Sequence, residues 1–99
     1  MAYVIEYSPE AKDHLRQLTA RQQETVLDTV DRQLVNEAEV ETRNRKPMRP
    51  NPVAPWELRI GDLRVYYEVK REPKPTVTIL AVGIKERNQV RIGGEIIKL

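Results

Sequence analysis

Ninety-nine residues leave room for one compact domain, which we expect to span residues 1–99, because a chain of this length buries too little surface to support two cores. The chain has no cysteine and one histidine, so we expect no disulfide, no metal and no cofactor. Charged residues make up 32% of the chain and no long apolar stretch is present, which predicts a cytoplasmic protein outside the membrane. The charge is uneven: residues 1–41 carry four Lys/Arg against nine Asp/Glu, whereas residues 42–99 carry thirteen against six, which indicates either a polyanionic partner for the second part or a solvated basic surface.

The first part of the chain predicts one strand and two helices. Aromatic and β-branched residues at 3–7 are typical of a short strand, and Ser8-Pro9 is a helix start because proline at the first helical position lacks the N–H that would be unsatisfied there. Thr19 and Gln22 have the spacing of a capping box, so a second helix begins almost directly after the first. Apolar residues at helical spacing predict the buried faces: Ala11, Leu15 and Leu18 in the first helix, and Val26, Leu27, Val30 and Leu34 in the second.

A basic, proline-rich segment at 42–55 follows the second helix, which we expect to end within residues 35–41. The segment carries Arg43, Arg45, Lys46 and Arg49, interleaved with prolines at positions 47, 50, 52 and 55. Proline cannot continue a helix or sit inside a sheet. The pattern therefore predicts a partly extended loop, which is either a stiff crossover from the helices to the sheet or an arm that contacts phosphates.

The second part of the chain is β. Alternating apolar and polar residues predict strands at 56–60 and 63–69, and Gly61-Asp62 between them has the residue order that a type II′ hairpin turn favours. A β-branched run at 76–82 is typical of a central strand buried on both faces, and we expect Gly83 to end it. For the stretch that continues to Leu99, a closing hairpin and a short helix both stay open.

A two-residue turn fixes the register of the predicted hairpin. Arg59 then lies opposite Arg64 and Glu57 opposite Tyr66 on a polar face, while the other face is apolar. Like charges that face each other cost roughly 0.2–1 kcal/mol, but two guanidinium groups suit a phosphate because each donates bidentate hydrogen bonds to its oxygens. Alternatively, the side chains extend into solvent or are neutralised by neighbouring carboxylates. Two further cations follow the central strand and add charge near one rim: Lys85 and Arg87.

Three motifs resemble the RelE/ParE superfamily of type II toxin–antitoxin toxins, and the order of elements agrees over nearly the whole chain. The motifs are Trp-Glu-Leu-Arg-Ile at 56–60, Leu-Arg-Val-Tyr-Tyr-Glu-Val at 63–69 and Ala-Val-Gly-Ile-Lys-Glu-Arg at 81–87. The resemblance implies an α+β, microbial-RNase-like fold in which two N-terminal antiparallel helices pack on an antiparallel β-sheet. It also implies a cognate antitoxin, which we expect on the acidic helices, and one of two activities: cleavage of mRNA on the ribosome, or inhibition of DNA gyrase.

The resemblance places Arg64 on the family's phosphate-binding arginine and Lys85 on a second phosphate-contacting position. Our leading hypothesis is a ribosome-dependent mRNA endoribonuclease (mRNA interferase), in which a ribose 2′-OH attacks the scissile phosphate without a metal. In this hypothesis Glu57 is the base, Arg59 and Arg64 clamp the phosphate, and Lys85 supplies charge or a proton. The predicted RNA-binding residues are Arg43, Arg45, Lys46, Arg49, Tyr66, Arg87 and Arg91, with Tyr66 stacking on a base or orienting a proton.

Two departures from the family pattern favour the alternative, a non-catalytic ParE-like toxin that inhibits gyrase. Glu57 stands where RelE-like enzymes often have lysine, and Arg91 stands where they often have a catalytic tyrosine. ParE-like toxins also lack the full catalytic set. His14 could serve as a conventional histidine base, but its place next to Leu15 in the first helix predicts a surface residue far from the arginines.

Overall fold

The fold combines seven strands and two helices within residues 2–98, which are the residues that this computed structural model describes. The elements follow in the order β1 (Val4–Tyr7), α1 (Pro9–Arg16), α2 (Ala20–Leu34), β2 (Arg45–Pro47), β3 (Trp56–Ile60), β4 (Leu63–Lys70), β5 (Thr76–Glu86), β6 (Gln89–Ile92) and β7 (Glu95–Ile97). The predicted α+β class is confirmed. Met1 and Leu99, the two ends of the predicted single domain, lie outside the described residues.

Both helices begin where the sequence predicts, because their cap residues satisfy backbone N–H groups. Ser8 Oγ accepts a hydrogen bond from Ala11 N at 3.0 Å, with proline in the first helical position. Thr19 Oγ1 accepts from Gln22 N at 3.1 Å and Thr19 N donates to Gln22 Oε1 at 3.0 Å, which completes the capping box. Within residues 2–98, neither helix has the length and apolar character needed to cross a membrane.

One mixed sheet holds the strands. They pair antiparallel in the order β2-β3-β4-β5-β6-β7, whereas β1 pairs parallel with the first part of β5, with Val4 opposite Thr76 and Tyr7 opposite Ile79. The predicted antiparallel arrangement therefore holds for every described pair except this one. β5 is the central strand, because β4 runs along one of its edges while β1 and then β6 share the other.

The edge of β5 has a gap between its pairing with β1 and its pairing with β6, and α1 fills this gap. Ser8 N donates to Ile79 O at 2.9 Å, and Ser8 Oγ donates to Leu80 O at 3.3 Å. Val82 N donates to His14 Nδ1 at 3.2 Å. The start of α1 and one of its side chains thus satisfy strand groups that no neighbouring strand of the described chain reaches.

The two faces of the sheet are covered differently. The helix-side face carries the main core, in which strand residues Leu58, Leu63, Val65, Tyr67, Val77, Ile79 and Val82 pack with helix residues Ala11, Leu15, Val26, Val30 and Leu34. We call the other face the outer face; its smaller cluster consists of Ala54, Tyr66, Ala81 and Ile92. The prediction that Leu27 is buried is wrong, since its side chain is 43% exposed. It follows Val26 directly and so points roughly 100° away from the core around the helix.

Two predicted boundaries in the second part of the chain are wrong. The proline-rich segment contains the short strand β2, because β2 is an edge strand and Pro47 can sit where no further neighbour needs its N–H. The central strand continues past Gly83 to Glu86. Gly83 is required there by close packing, since a Cβ atom would lie 2.6 Å from the Arg91 carbonyl oxygen. Of the two alternatives for the final segment, the structure has the hairpin of β6 and β7.

Candidate functional site

The hairpin of β3 and β4 has the predicted register. Arg59 lies opposite Arg64, and Glu57 lies opposite Tyr66. In the turn, Gly61 has a φ of 58° while the next residue is not left-handed, as a type II′ turn requires. The alternation along the strands places these four polar side chains together on the outer face, away from the helices.

Glu57 and Arg59 form an ion pair along one strand of this face. Arg59 Nε donates to Glu57 Oε1 at 2.8 Å. The Glu57 side chain is 11% exposed and the Arg59 side chain is 47% exposed, so the carboxylate lies inside while the guanidinium reaches the surface. Glu57 is the predicted general base, and Arg59 therefore already binds one oxygen of the carboxylate that would have to accept the proton.

Arg64 is buried, and its guanidinium is anchored to the hairpin turn. Its Nη1 donates to Gly61 O at 2.7 Å and to Leu63 O at 2.9 Å. A phosphate clamp needs N–H groups that solvent and ligand can reach, whereas Arg64 is only 8% exposed. The pairing of the two arginines across the hairpin is thus confirmed, and their joint role in holding a phosphate stays a prediction.

Tyr66 is fully buried in the outer-face cluster, and its hydroxyl has no hydrogen-bond partner among residues 2–98. Burial raises the pKa of Tyr66, and the Glu57 carboxylate raises it further, while Arg64 and Arg59 act in the opposite direction. The predicted stacking of Tyr66 on an RNA base is incompatible with this structure, because the ring has no exposed face.

Three cations near the β5–β6 turn fall on different sides of the sheet. Lys85 is exposed on the outer face, and its backbone N donates to Asp62 O at 2.7 Å, which brings it beside the β3–β4 turn. Arg87 lies in the turn itself with a φ of 60°. Arg91 lies on the helix-side face and pairs with Glu86 at 2.5 Å. The structure therefore brings Lys85, but not Arg91, toward the arginines of the hairpin.

Arg45 is a structural residue, so the prediction that it binds RNA is wrong. Its side chain is enclosed, with the residue 4% exposed. Nε donates to Val40 O at 2.8 Å, and Nη1 donates to Gln33 O at 2.9 Å and to Gln33 Oε1 at 2.7 Å. These bonds tie β2 to α2 and to the turn that follows it. Arg43, two residues earlier, is exposed.

A cleft of about 330 Å³ lies between the proline-rich loop and β3, and we call it the basic cleft. Its lining residues are Lys46, Pro47, Met48, Arg49, Pro50, Asn51, Glu57 and Arg59. Two of the predicted RNA-binding residues, Lys46 and Arg49, thus meet two of the predicted catalytic residues, Glu57 and Arg59. The cleft is the place where the structure concentrates the predicted site residues.

Asn51 is the residue of this region that sequence reasoning missed. Its Oδ1 accepts from Val53 N at 2.8 Å and from Ala54 N at 3.0 Å, and its Nδ2 donates to Arg49 O at 2.7 Å and to Ala54 O at 2.9 Å. One side chain therefore holds the loop in shape and fixes a wall of the basic cleft. The signal was an asparagine between two prolines, since asparagine often bonds to backbone two residues further on.

His14 is partly buried between α1 and the sheet, so the prediction that it is a surface residue is wrong. Burial lowers the pKa of His14, against the opposing effect of the Asp13 and Glu10 carboxylates. It lies on the helix-side face and takes no part in the outer-face site. Among the described residues, no group of three or more His, Cys, Asp or Glu side chains is placed to hold a metal ion.

A helical hairpin packs on one face of the sheet, and one buried and one exposed arginine lie on the other. The family model described as the ParE toxin of type II toxin-antitoxin systems, parDE, matches residues 5–89. Because this match spans most of the sequence, the chain belongs to the ParE toxin family. The resemblance that the motifs indicate is confirmed.

A solved structure supports the same assignment of the fold. The toxin–antitoxin complex RelBE2 from Mycobacterium tuberculosis matches with a TM-score of 0.73 and 26% sequence identity, covering 86% of this chain and 100% of that chain. No curated protein sequence matches the chain significantly. The comparisons therefore establish a type II toxin with the RelE/ParE fold.

Proposed function

We propose that this toxin acts by binding a protein target and does not cleave RNA, and that the target is the one the ParE resemblance implies, DNA gyrase. The observation that carries the proposal is the state of the outer face. There the predicted base, Glu57, is already paired with Arg59, and the Arg64 guanidinium is bonded to turn carbonyls. The toxin would act in the cytoplasm, where gyrase works on DNA.

Cleavage of RNA by a 2′-OH needs an accessible base, an acid and cations around the phosphate. The predicted base, Glu57, is nearly enclosed and paired with Arg59. Arg64 is buried and bonded to turn carbonyls. Lys85 is exposed, and it is the predicted source of charge or of a proton. Because the predicted catalytic residues offer no accessible base, the ribonuclease hypothesis lacks its first step, whereas inhibition by binding needs none.

A cognate antitoxin is the second partner in this proposal. The RelBE2 structure from M. tuberculosis is a toxin–antitoxin complex, which supports the same kind of partner here. The excess of acidic residues within 1–41 places negative charge on the helical layer. A basic antitoxin segment would complement that surface.

The test measures both activities with one toxin preparation. Purified toxin is added to a translating cell extract, where mRNA is mapped by primer extension, and to a supercoiling assay with purified gyrase. We expect intact mRNA, inhibited supercoiling and accumulated gyrase–DNA breaks. Glu57→Gln keeps the shape of the side chain but removes its charge, and we expect it to leave mRNA intact as well.

Two results would contradict the proposal, and the first of them would favour the ribonuclease hypothesis. Ribosome-dependent cleavage of mRNA by the wild type, lost in Glu57→Gln and Arg59→Gln, would show that the outer face opens to act as an active site. Supercoiling that continues at full rate in the presence of the toxin would also contradict the proposal.

A further inference from the structure

We propose that the basic cleft is the surface through which the toxin holds its protein target, and that it takes an acidic segment whose carboxylates bind Arg49 and Arg59. This inference rests on the proposed function, because it assigns a surface to the binding that the function requires. It commits to a segment of the target protein as the occupant of the cleft.

The charges in the cleft support an acidic occupant. Arg49 is exposed and has no ion-pair partner within the described residues. Arg59 uses Nε for its bond to Glu57, and its two terminal nitrogens make no further hydrogen bond in residues 2–98. A guanidinium in that state can still donate two parallel hydrogen bonds to an incoming carboxylate. Lys46, whose Nζ lies 3.9 Å from the Glu41 carboxylate, adds a third cation.

The walls of the cleft support a segment that also carries an apolar residue. Met48 is partly buried and Pro50 is exposed, so the loop brings apolar side chains to the cleft beside its cations. Asn51 holds the loop with four backbone hydrogen bonds, and the flanking prolines restrict it further. A wall that is already ordered loses little conformational entropy when a partner binds.

The same surface is poorly suited to RNA. Single-stranded nucleic acid is usually held by exposed aromatic rings beside the cations. On the outer face Tyr66 is fully buried, and the stacked rings of Trp56 and Tyr67 belong to the helix-side core. The Glu57 carboxylate also lines the cleft, where Arg59 pairs with its charge. The observations therefore favour a protein carboxylate over a phosphate.

The experiment reverses one charge in the cleft and one outside it. Arg49→Glu is compared with Arg21→Glu, a matched reversal of an exposed arginine in α2, in the gyrase supercoiling assay. We expect Arg49→Glu to raise the toxin concentration for half-inhibition by at least about tenfold, and Arg21→Glu to leave it within about twofold. Arg49→Lys, which keeps the charge but loses the bidentate geometry, should lie between the wild type and Arg49→Glu. Equal melting temperatures of the variants exclude a loss of folding.

The outcomes separate this inference from the proposed function. If the wild type inhibits gyrase and Arg49→Glu inhibits it equally well, the cleft is not the docking surface, although the proposed function stands. If the wild type does not inhibit gyrase, both are overturned. Binding of a short fluorescein-labelled RNA is measured with the same proteins. Tight binding to the wild type that is lost in Arg49→Glu would identify the cleft as a nucleic-acid site and overturn the inference.

Discussion

Two adjacent tyrosines in β4 should respond in opposite directions to the same substitution. Tyr67 points into the helix-side core, where its hydroxyl donates to Ala38 O at 2.7 Å. Tyr66 points to the outer face, where its buried hydroxyl has no hydrogen-bond partner among the described residues. Replacing either residue with phenylalanine removes one oxygen and leaves the ring. The difference between the two variants therefore isolates the value of a satisfied hydroxyl.

The magnitudes follow from the cost of hydrogen bonds in a protein interior. Tyr67→Phe loses a buried bond and leaves the Ala38 carbonyl without a partner, so we expect the free energy of unfolding to fall by about 1–2 kcal/mol. Tyr66→Phe removes a buried hydroxyl that has no partner at hydrogen-bond distance among the described residues, so we expect the free energy of unfolding to rise by up to about 1 kcal/mol. In a domain of this size, each 1 kcal/mol shifts the melting temperature by about 4–8 °C.

Urea and thermal unfolding at neutral pH measure both changes. A loss of stability in Tyr66→Phe as large as that in Tyr67→Phe would refute this reasoning, because it would mean that the Tyr66 hydroxyl has a partner in solution. The Glu57 carboxylate, which raises the pKa of Tyr66, is the first group to examine in that event. Repeating Tyr66→Phe in a Glu57→Gln background then tests whether the loss depends on that carboxylate.

Three further predictions concern stability. Arg45→Ala should lower the free energy of unfolding by about 3 kcal/mol, because it removes a buried guanidinium that bonds to Val40 O and Gln33 O, while Arg43→Ala should change it by less than about 0.5 kcal/mol. Similar urea midpoints for the two variants would contradict the structural role of Arg45. Gly83→Ala should lower the free energy of unfolding by about 2 kcal/mol, since the added Cβ would lie 2.6 Å from a backbone oxygen of β6. An unchanged melting temperature would refute that close approach. Because burial lowers the pKa of His14, the folded state favours the neutral form, and the free energy of unfolding should fall as the pH drops below 6.5. His14→Asn keeps a hydrogen-bond acceptor for Val82 N but does not titrate, so this variant should show a shallower decline. An equally steep decline in the variant would show that other groups cause it.

The hairpin was predictable because local rules determine it. A two-residue turn and strict alternation leave one register for strands 56–60 and 63–70, and that register is the one observed. The helix starts at Ser8 and Thr19 were predictable for the same reason, since a cap residue acts on backbone within three positions.

Features that depend on distant parts of the chain could not be predicted. The sequence pattern places Arg45 among exposed cations. The carbonyl oxygens to which its guanidinium donates, however, belong to α2 and to the turn after it. Gly83 looks like the end of a strand, and only the position of β6 shows that the strand continues and needs the space. The register puts Arg64 on the outer face, yet its partners are turn carbonyls that a pattern of residue types does not reveal.

The parallel pairing of β1 with β5 determines when the fold can form. It joins Val4 to Thr76, so the contact cannot exist while β5 is still inside the ribosomal exit tunnel. During synthesis the helical hairpin therefore emerges before the strand to which Ser8 and His14 attach. The molecule therefore completes its sheet only late in translation, after the residues around Thr76 have left the tunnel.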